Sequence, residues 1–275
     1  MRKNIAVVTG ANRGLGREVA LALAKAGFSV VLACRNTIEA EKARQAIRRE
    51  SGNEDVDVMR LDISSRNSIV EFCDGFGKRF GRLNVLINNA GVALNTREKT
   101  VDGMEMNIGT NYFGTFQLTT RMLPFFEKGA DNRIVNLTSD IYKIGRFSFD
   151  KLNRYHWVKS YSVSKYMILL FTLELAESGS KCGINVNAIH PGIVNTSIMY
   201  TQKWYDVIIW LLLSPFFVDA KTGAEGIIYL ACSGAAKEIN GKYFRGTAMT
   251  AVSRRYNNAR LRKELMVYSA RISGE

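Results

Sequence analysis

Short apolar runs recur along the chain, with longer amphipathic stretches between them. The runs are IAVVT (5–9), SVVLA (29–33), VDVMRL (56–61), NVLIN (84–88), RIVNLT (133–138) and GINVNAI (183–189). They are rich in β-branched residues, which predicts buried strands. Between the first two, LGREVALALAKAG has apolar residues at helical spacing and ends on Gly27, a typical helix stop. The alternation predicts an α/β fold with a single doubly wound parallel sheet and helices on both faces.

Nothing in the pattern divides the chain into parts. The sequence has 275 residues, 47% of them hydrophobic, with three prolines and no linker-like or repeated segment. We therefore expect one domain over residues 1–275. The last third is less regular, with an apolar segment inside 197–219, a weak strand KYF (242–244) and a basic helix near 255–272 that we expect on the surface.

The apolar segment VIIWLLLSPFFV (207–218) has two interpretations. The run from Val207 to Leu213 is seven residues long, whereas a membrane-spanning helix needs about 20. We favour a lid over a hydrophobic substrate pocket, formed by about 197–219. The alternative is a membrane-surface or subunit contact, which should carry a basic polar face.

The net charge of +13 could attract nucleic acid, a membrane surface or an anionic ligand. The basic residues are scattered, however, and the densest groups, KARQAIRRE and RRYNNARLRKE, contain acidic residues and resemble solvated helix faces. Neither interleaves aromatic residues in the manner of single-strand binders. The pattern favours a small anionic ligand over nucleic acid, and membrane contact is not favoured.

Cysteines, histidines and the N-terminus limit the remaining classes. The four cysteines lie far apart without a C-x-x-C pair, and there are two histidines, so we expect reduced thiols and no metal site. MRKNIAVVTG enters an apolar run too short for a signal peptide. We therefore expect a cytoplasmic protein that begins at Met1.

The stretch TGANRGLG (9–16) joins the first predicted strand to the first helix, the context that a nucleotide-binding loop requires. Gly10 would permit a sharp turn, Gly14 a close approach to a pyrophosphate, and Gly16 close packing of helix and strand. The helix N-terminus would offer free N–H groups to the phosphates. Asn12, Arg13 and Leu15 complete the predicted cofactor-binding loop.

The second strand ends in LACRN, with Cys34 and Arg35 where an NAD-preferring sheet carries a carboxylate. An arginine at this point accommodates a 2′-phosphate, and Arg13 supplies a second cation. The sequence therefore predicts NADP(H), although Arg35 could also be an ordinary solvated residue.

Two further strand ends carry candidate cofactor contacts. Asp62, with Ile63 beside it, follows the third strand and would either accept a hydrogen bond from adenine or cap the next helix with Ser64. The fourth strand ends in NNAG, where Asn88 and Ala90 would lie beside the ligand at the carboxyl edge of the sheet. The same four residues could equally be a turn.

The fifth strand and the following helix supply candidate chemistry. RIVNLTS presents Ser139 at the same edge, and YSVSKYMILLF places Tyr161 and Lys165 at i and i+4 on one helix face. A tyrosine ordinarily has a pKa of about 10, which a neighbouring ammonium and a positive cofactor ring would lower. Tyr161 would then exchange a proton with a carbonyl or alcohol oxygen that Ser139 polarises.

The ordered motifs TGANRGLG, NNAG, TNYFG, NLTS, YSVSK and HPGIVNT resemble the short-chain dehydrogenases/reductases over residues 5–196. The resemblance implies a tetrad in which Tyr161 is the general acid/base, Ser139 orients the carbonyl, and Lys165 binds the nicotinamide ribose and lowers the pKa of Tyr161. Asn111 would hold a proton-relay water. It also implies that the turn from Pro191 through Ile193 to Thr196 holds the nicotinamide carboxamide.

A closer resemblance covers the second half of the chain. The long segment before Tyr161 with DKLN and a following Trp, then SPFF, GAEGIIYLA, GKYF and NNARLRKEL, is similar to the retinol-dehydrogenase-like branch. That branch implies a small lipophilic carbonyl or alcohol substrate, and the fold commonly forms homo-oligomers. The segment from Ile141 to about Lys159 would be an inserted loop forming one wall of the substrate pocket. A cofactor-binding sensor with little turnover is the alternative function.

The two histidines have ordinary interpretations. His190, beside Pro191, could contact cofactor or substrate but is more simply a structural residue with its hydrogen bonds satisfied. His156, in the inserted segment, should be exposed.

Overall fold

The computed structural model describes residues 2–152, 156–179, 183–194 and 217–274. Its centre is an eight-stranded sheet with the order β10-β9-β6-β5-β4-β1-β2-β3, in which only the β9–β10 pair is antiparallel. The strands of this sheet are β1 Ile5–Thr9, β2 Ser29–Cys34, β3 Val56–Arg60, β4 Val85–Asn88, β5 Asn132–Leu137, β6 Ile184–His190, β9 Tyr243–Arg245 and β10 Ala248–Thr250. A separate parallel pair joins β7 Ile193–Val194 to β8 Phe217–Val218. The predicted doubly wound sheet is confirmed.

Helices cover both faces of the sheet. Their bounds are α1 Gly14–Lys25, α2 Thr37–Ser51, α3 Arg66–Arg79, α4 Met106–Ile108, α5 Thr115–Met122, α6 Trp157–Gly179, α7 Ala220–Cys232 and α8 Ala259–Ser273. A π-helical segment, Gly109–Gly114, joins α4 to α5. One apolar core lies under α1, α2 and α7, and the other lies under α3 to α6 and α8. A sheet buried on both faces explains why its strands appear in the sequence as continuous apolar runs.

The predicted strand positions agree with the structure to within a residue at most ends, and β1 agrees at both. Gly27, the predicted end of the first helix, has φ +85°, a conformation that glycine adopts without strain. The inserted segment before Tyr161 contains two 3₁₀ turns, Asp140–Ile144 and Phe149–Lys151, and α6 already begins at Trp157.

The last helix differs from its prediction as a surface element. One face of α8 is buried, with Leu265 and Ser269 fully covered. Arg262, 5% exposed, pairs with Glu174 and Glu177 of α6. The contact was not predicted because arginine is mostly exposed in proteins. An arginine with an ion-pair partner can nevertheless be buried.

Most of the predicted lid at 197–219, together with Thr196, lies outside the described residues. Within the ranges that the structure describes, no helix has the length and apolar character needed to cross a bilayer. In those ranges there is also no group of three or more His, Cys, Asp or Glu side chains placed to hold a metal ion.

Candidate active site

The candidate site lies at the carboxyl edge of the sheet. β1 pairs with β2 on one side and with β4 on the other, so the strand order reverses at β1. In open α/β sheets, ligands bind at such a switch point, outside the carboxyl ends of the strands. The glycine loop after β1 and the NNAG segment after β4 therefore face the same crevice.

The glycine loop has the geometry expected of a phosphate-binding turn. Gly10 and Gly14 have φ values of +65° and +55°, which side chains with a Cβ rarely adopt. A Cβ on Gly16 would lie 2.5 Å from the Gly10 carbonyl oxygen, so only glycine fits. Arg13, the N-cap residue of α1, makes no side-chain capping bond, unlike the N-cap residues Asn36 and Ser65 of α2 and α3. The first N–H groups of α1 therefore have no side-chain hydrogen-bond acceptor. This arrangement suits the binding of a pyrophosphate.

Asn89 and Thr9 support this loop, although neither was among the predicted site residues. Asn89 Nδ2 donates to the Thr9 carbonyl at 2.8 Å and to the Gly10 carbonyl at 3.3 Å. The Thr9 hydroxyl accepts from the backbone N–H groups of Asn89 and Ala90, both at 2.9 Å. Asn89 therefore holds the glycine loop against the end of β4.

The end of β2 lies directly against the glycine loop. The Gly10 N–H donates to the Ala33 carbonyl at 2.9 Å. Burial raises the pKa of the next residue, Cys34, to about 11, although backbone contacts from the loop oppose the shift. Arg13 and Arg35 are exposed beside this junction, and neither has an ion-pair partner among the described residues.

Three of the other predicted cofactor contacts have side chains that point into packed structure. Leu15 and Ile63 are each 7% exposed and belong to the two apolar cores. A Cβ on Gly114 would lie 1.9 Å from the Ile63 carbonyl oxygen, so the π-helical segment packs tightly here. Asn88 is 2% exposed, and its Nδ2 donates to Thr119 Oγ1 at 2.9 Å and Asn136 Oδ1 at 2.7 Å. The side chains of these three residues are therefore buried within the protein, whereas Ala90 is only half-buried.

Asp62 forms a local turn rather than a helix cap. Its Oδ1 accepts from the Ser64 N–H at 3.0 Å and from the Ser64 hydroxyl at 2.6 Å. The N-cap of α3 is Ser65, whose side chain accepts from the Ser68 N–H. The capping alternative for Asp62 with Ser64 is therefore wrong, and the adenine alternative stays a prediction.

The structure brings Ser139, Tyr161 and Lys165 together. Ser139 follows β5, and its side chain lies near enough to Tyr161 to lower the pKa of the Tyr161 phenol. Lys165 is 7% exposed, donates from Nζ to the Leu137 carbonyl at 3.1 Å, and lies 5.7 Å from the centroid of the Tyr161 ring. The Thr138 hydroxyl donates to the Lys165 carbonyl at 2.8 Å, which fixes α6 against the end of β5.

The pKa of Tyr161 is shifted opposite to the sequence expectation. Burial raises it to about 12, and the hydrogen bond with Ser139 only partly opposes that rise. Burial also lowers the pKa of Lys165 to about 8. Both shifts have one physical cause, because a poorly hydrated site disfavours the phenolate and the ammonium alike.

Asn111, in the π-helical segment, uses its side chain to hold the protein together. Its Oδ1 accepts from the Val92 N–H at 2.7 Å, and its Nδ2 donates to the Val92 carbonyl at 2.8 Å and to Ser164 Oγ at 3.0 Å. Ser164 Oγ in turn donates to the Tyr161 carbonyl at 2.7 Å. Both amide hydrogens are thus used within the protein. Ser164 was missed in the sequence, although it lies at i+3 from Tyr161 on the same helix face.

The turn after β6 contains the remaining predicted contacts. Pro191 is half-buried, and Ile193 begins β7. His190 has a buried Nδ1 without a hydrogen-bond partner among the described residues, so the expectation of a satisfied structural histidine is wrong. Burial lowers its pKa, and the nearby Asp140 carboxylate opposes that shift. His156 is exposed, as expected, and Tyr142 is buried in aromatic packing.

A glycine-rich turn at the switch point and a Ser-Tyr-Lys group at the same sheet edge define a class of dinucleotide-dependent oxidoreductases. The family model described as "short chain dehydrogenase" matches residues 4–205. The chain belongs to the short-chain dehydrogenase/reductase family.

Within this family the chain belongs to the retinol-dehydrogenase-like branch. It is 37% identical to mouse retinol dehydrogenase 12 over 98% of this chain and 86% of that protein. It is 35% identical to human retinol dehydrogenase 13 over 98% of this chain and 84% of that protein. These similarities confirm the branch indicated by the second half of the sequence.

Solved structures confirm the fold. An uncharacterised protein from Mycobacterium paratuberculosis is 31% identical, with a TM-score of 0.79 over 98% of this chain and 93% of that chain. A blue fluorescent protein from a metagenomic library, solved in complex with NADPH, has a TM-score of 0.71 at 22% identity, covering 89% of this chain and 98% of that one. The latter is similar in fold alone.

Proposed function

We propose that this protein is an NADP(H)-dependent oxidoreductase that transfers hydride between the nicotinamide and a carbonyl or alcohol carbon of a small lipophilic substrate. The observation that carries the proposal is the grouping of Ser139, Tyr161 and Lys165 at the end of β5, with Lys165 Nζ 5.7 Å from the centroid of the Tyr161 ring. This group lies at the same sheet edge as the glycine loop after β1. A hydroxyl pair and a cation at a cofactor crevice suit proton transfer to an oxygen atom.

The glycine loop and its flanking cations would hold the cofactor. The uncapped start of α1 would bind the pyrophosphate, and the exposed Arg13 and Arg35 would bind a 2′-phosphate. Arginine forms paired hydrogen bonds with phosphate oxygens, which makes it a selective partner for this group. The absence of a carboxylate at Cys34 and Arg35 supports NADP(H) over NAD(H).

The catalytic groups would act on the substrate oxygen. When bound, the nicotinamide supplies or accepts the hydride. Ser139 would donate a hydrogen bond to the substrate carbonyl, and Tyr161 would give its phenolic proton to the oxygen as negative charge develops there. Lys165 would bind the nicotinamide ribose and stabilise the phenolate that remains.

The pKa of Tyr161 favours the reductive direction. Since burial raises this pKa to about 12, the phenol keeps its proton near neutral pH and is ready to donate it. Oxidation of an alcohol would need the phenolate instead. The names of the relatives, which are retinol dehydrogenases, support a lipophilic alcohol or carbonyl as substrate.

The test is NADPH consumption over a panel of lipophilic aldehydes and ketones that includes retinal, with NADPH binding measured in parallel. We expect substrate-dependent consumption with NADPH and much slower consumption with NADH. Tight NADPH binding without turnover across the panel would favour the alternative of a cofactor-binding sensor.

A further inference from the structure

Asp140 directly follows Ser139 and begins the first 3₁₀ turn of the inserted segment. Three groups hold its carboxylate. Oδ1 accepts from the Tyr243 hydroxyl at 2.8 Å and from Lys143 Nζ at 3.0 Å, and Oδ2 accepts from Arg245 Nε at 2.8 Å. A side chain adjacent to a catalytic serine is therefore fixed from two directions.

Two of the partners, Tyr243 and Arg245, belong to β9. β9 pairs with β6 in a register that places Arg245 opposite His190, and the Gly246 N–H donates to the His190 carbonyl at 2.9 Å. His190 ends β6, immediately before the turn at Pro191. The carboxylate of Asp140 thus connects the segment that directly follows Ser139 to β9, the neighbour of β6 at the proposed nicotinamide turn.

The contact is well buried at its centre. Tyr243 is 1% exposed, and its ring packs edge-on against Tyr142 with centroids 5.4 Å apart. Burial raises the pKa of Asp140, but hydrogen bonds from Lys143 and Tyr243 outweigh it, and the net pKa is lowered. The carboxylate therefore stays ionised near neutral pH. Replacing it by a neutral group would weaken all three contacts, because hydrogen bonds to charged groups are the stronger ones.

We propose that Asp140 is a positioning residue for Ser139, holding the serine beside Tyr161. The backbone of Ser139 is extended, with φ −158° and ψ 149°, and its side chain also accepts from the Ile141 N–H at 3.4 Å. With the next residue anchored to β9, the serine has little freedom to turn away from Tyr161. This assignment rests on the proposed function, since it concerns the same site.

The chain contains a matched control at the other end of β5. Asp131 pairs with Arg133 through two contacts, at 2.8 and 2.6 Å, and Arg133 is 3% exposed. The chemistry is similar to that of Asp140 and Arg245, but this pair lies at the amino end of the strand, away from the candidate site. Asp131→Asn should therefore affect stability without acting through Ser139.

The test is a double-mutant cycle that combines Asp140→Asn with Ser139→Ala, with Asp131→Asn carried through the same cycle. We expect Asp140→Asn to lower kcat about 5- to 50-fold, a coupling range typical of contacting residues. NADPH affinity should change less than about twofold, because the substitution leaves the glycine loop untouched. In the Ser139→Ala background the effect of Asp140→Asn on kcat should shrink to less than about twofold, because a positioning residue has nothing left to position.

Two outcomes would overturn the assignment. One is an equal loss of kcat from Asp140→Asn in both backgrounds. The other is an effect no larger than that of Asp131→Asn at matched thermal stability. If Asp140→Asn fails to fold, Arg245→Gln replaces it in the cycle. We then expect a smaller loss of kcat, because Arg245 is 56% exposed and the substitution leaves the contact between Asp140 and Tyr243 in place.

A second readout does not depend on turnover. In a crystal structure of Asp140→Asn we expect the Ser139 hydroxyl to lie farther from the Tyr161 hydroxyl than in the wild-type protein, whereas the distance should be unchanged in Asp131→Asn. An unchanged distance between the Ser139 and Tyr161 hydroxyls in the Asp140 variant would reject the positioning role, whether or not the wild-type protein is active. A wild-type protein that turned over none of the aldehydes and ketones would by itself reject only the proposed function.

Discussion

The two halves of the candidate active site, the glycine loop and the surroundings of Tyr161, use different kinds of protein groups. Around the glycine loop, the contacts come from backbone at Gly10 and Gly16 and from the exposed side chains of Arg13 and Arg35. Around Tyr161, they come from hydroxyl, amide and ammonium side chains that are joined to one another and to backbone, with Lys165 almost fully buried.

The difference separates binding from chemistry. Exposed cations and uncapped N–H groups attract phosphate whatever the state of the other half. Buried groups shift one another's proton affinity and need a fixed geometry to act. Substitutions near the glycine loop should therefore appear in cofactor affinity. Those near Tyr161 should appear in kcat with the cofactor still bound, except at Lys165, which would also bind the nicotinamide ribose.

The largest expected effect is that of Tyr161→Phe. Removing the phenolic hydroxyl deletes the proposed proton donor, which should lower kcat about 10²- to 10⁴-fold, the usual contribution of general acid–base catalysis. NADPH affinity, measured by fluorescence titration, should stay within about twofold, because the ring remains in place. Tyr166→Phe, on the same helix, is the control and should keep nearly full activity. A similar loss in both variants would contradict the distinction between the two halves.

The next effect concerns cofactor choice. Arg35→Asp should shift the ratio of NADPH to NADH affinity about 100-fold toward NADH, because it removes a charge-assisted contact and adds a carboxylate that repels the 2′-phosphate. Arg49→Asp makes the same charge change on an exposed residue near the far end of α2. Unchanged NADPH affinity in Arg35→Asp would reject the proposed role of this residue.

Gly16→Ala tests the close packing of the loop. Its Cβ would lie 2.5 Å from the Gly10 carbonyl oxygen and 2.6 Å from Asn89 Nδ2, so the loop must shift. Overpacking of this kind costs roughly 1–3 kcal/mol, and we expect about tenfold weaker NADPH binding. Gly234→Ala has no atom within 4 Å of the new Cβ and should bind normally. Equal affinity in the two variants would show that the loop tolerates a side chain.

The smallest effect is a pH dependence of NADPH binding. Burial lowers the pKa of Lys165 to about 8, so the side chain is charged below that pH and loses its proton above it. NADPH affinity should fall as pH rises from about 8 to 9.5, by less than about tenfold in all, because the loss of one proton limits the slope to about tenfold per pH unit. In Lys165→Met the affinity should be lower at pH 7.5 and independent of pH over the same range. A parallel fall in the variant would assign the titration to another group.

The sequence predicted the glycine-loop half more fully than the chemical half. The loop could be predicted because a nucleotide-binding motif depends on local sequence. It needs glycines between a strand and a helix, and cations at the end of the next strand. Tyr161 and Lys165 were found in the same way, since i and i+4 spacing puts them on one helix face. Hydropathy alone placed the strands, because a sheet covered on both faces produces continuous apolar runs.

What escaped prediction depends on contacts between distant segments. The bonds of Asn89 to the glycine loop, and of Asn111 to Val92 and Ser164, join residues that are 19 to 80 positions apart. Burial, a property of the whole fold, raises the pKa of Tyr161 in the protein alone, whereas the lowering expected from the lysine and the cofactor ring stays a prediction. The helix that contains Arg262 was predicted to lie on the surface because the ion-pair partners of Arg262, Glu174 and Glu177, are distant in the sequence.

The central claim is that Tyr161 supports hydride transfer between NADPH and a lipophilic carbonyl compound. The most direct test is to supply NADPH deuterated at the transferring carbon, with retinal or another aldehyde of the panel, and to locate the label in the product by mass spectrometry. We expect an alcohol that carries one deuterium on the former carbonyl carbon with the wild-type protein, and almost none with Tyr161→Phe although NADPH is bound. Labelled alcohol formed equally fast by both proteins would contradict it.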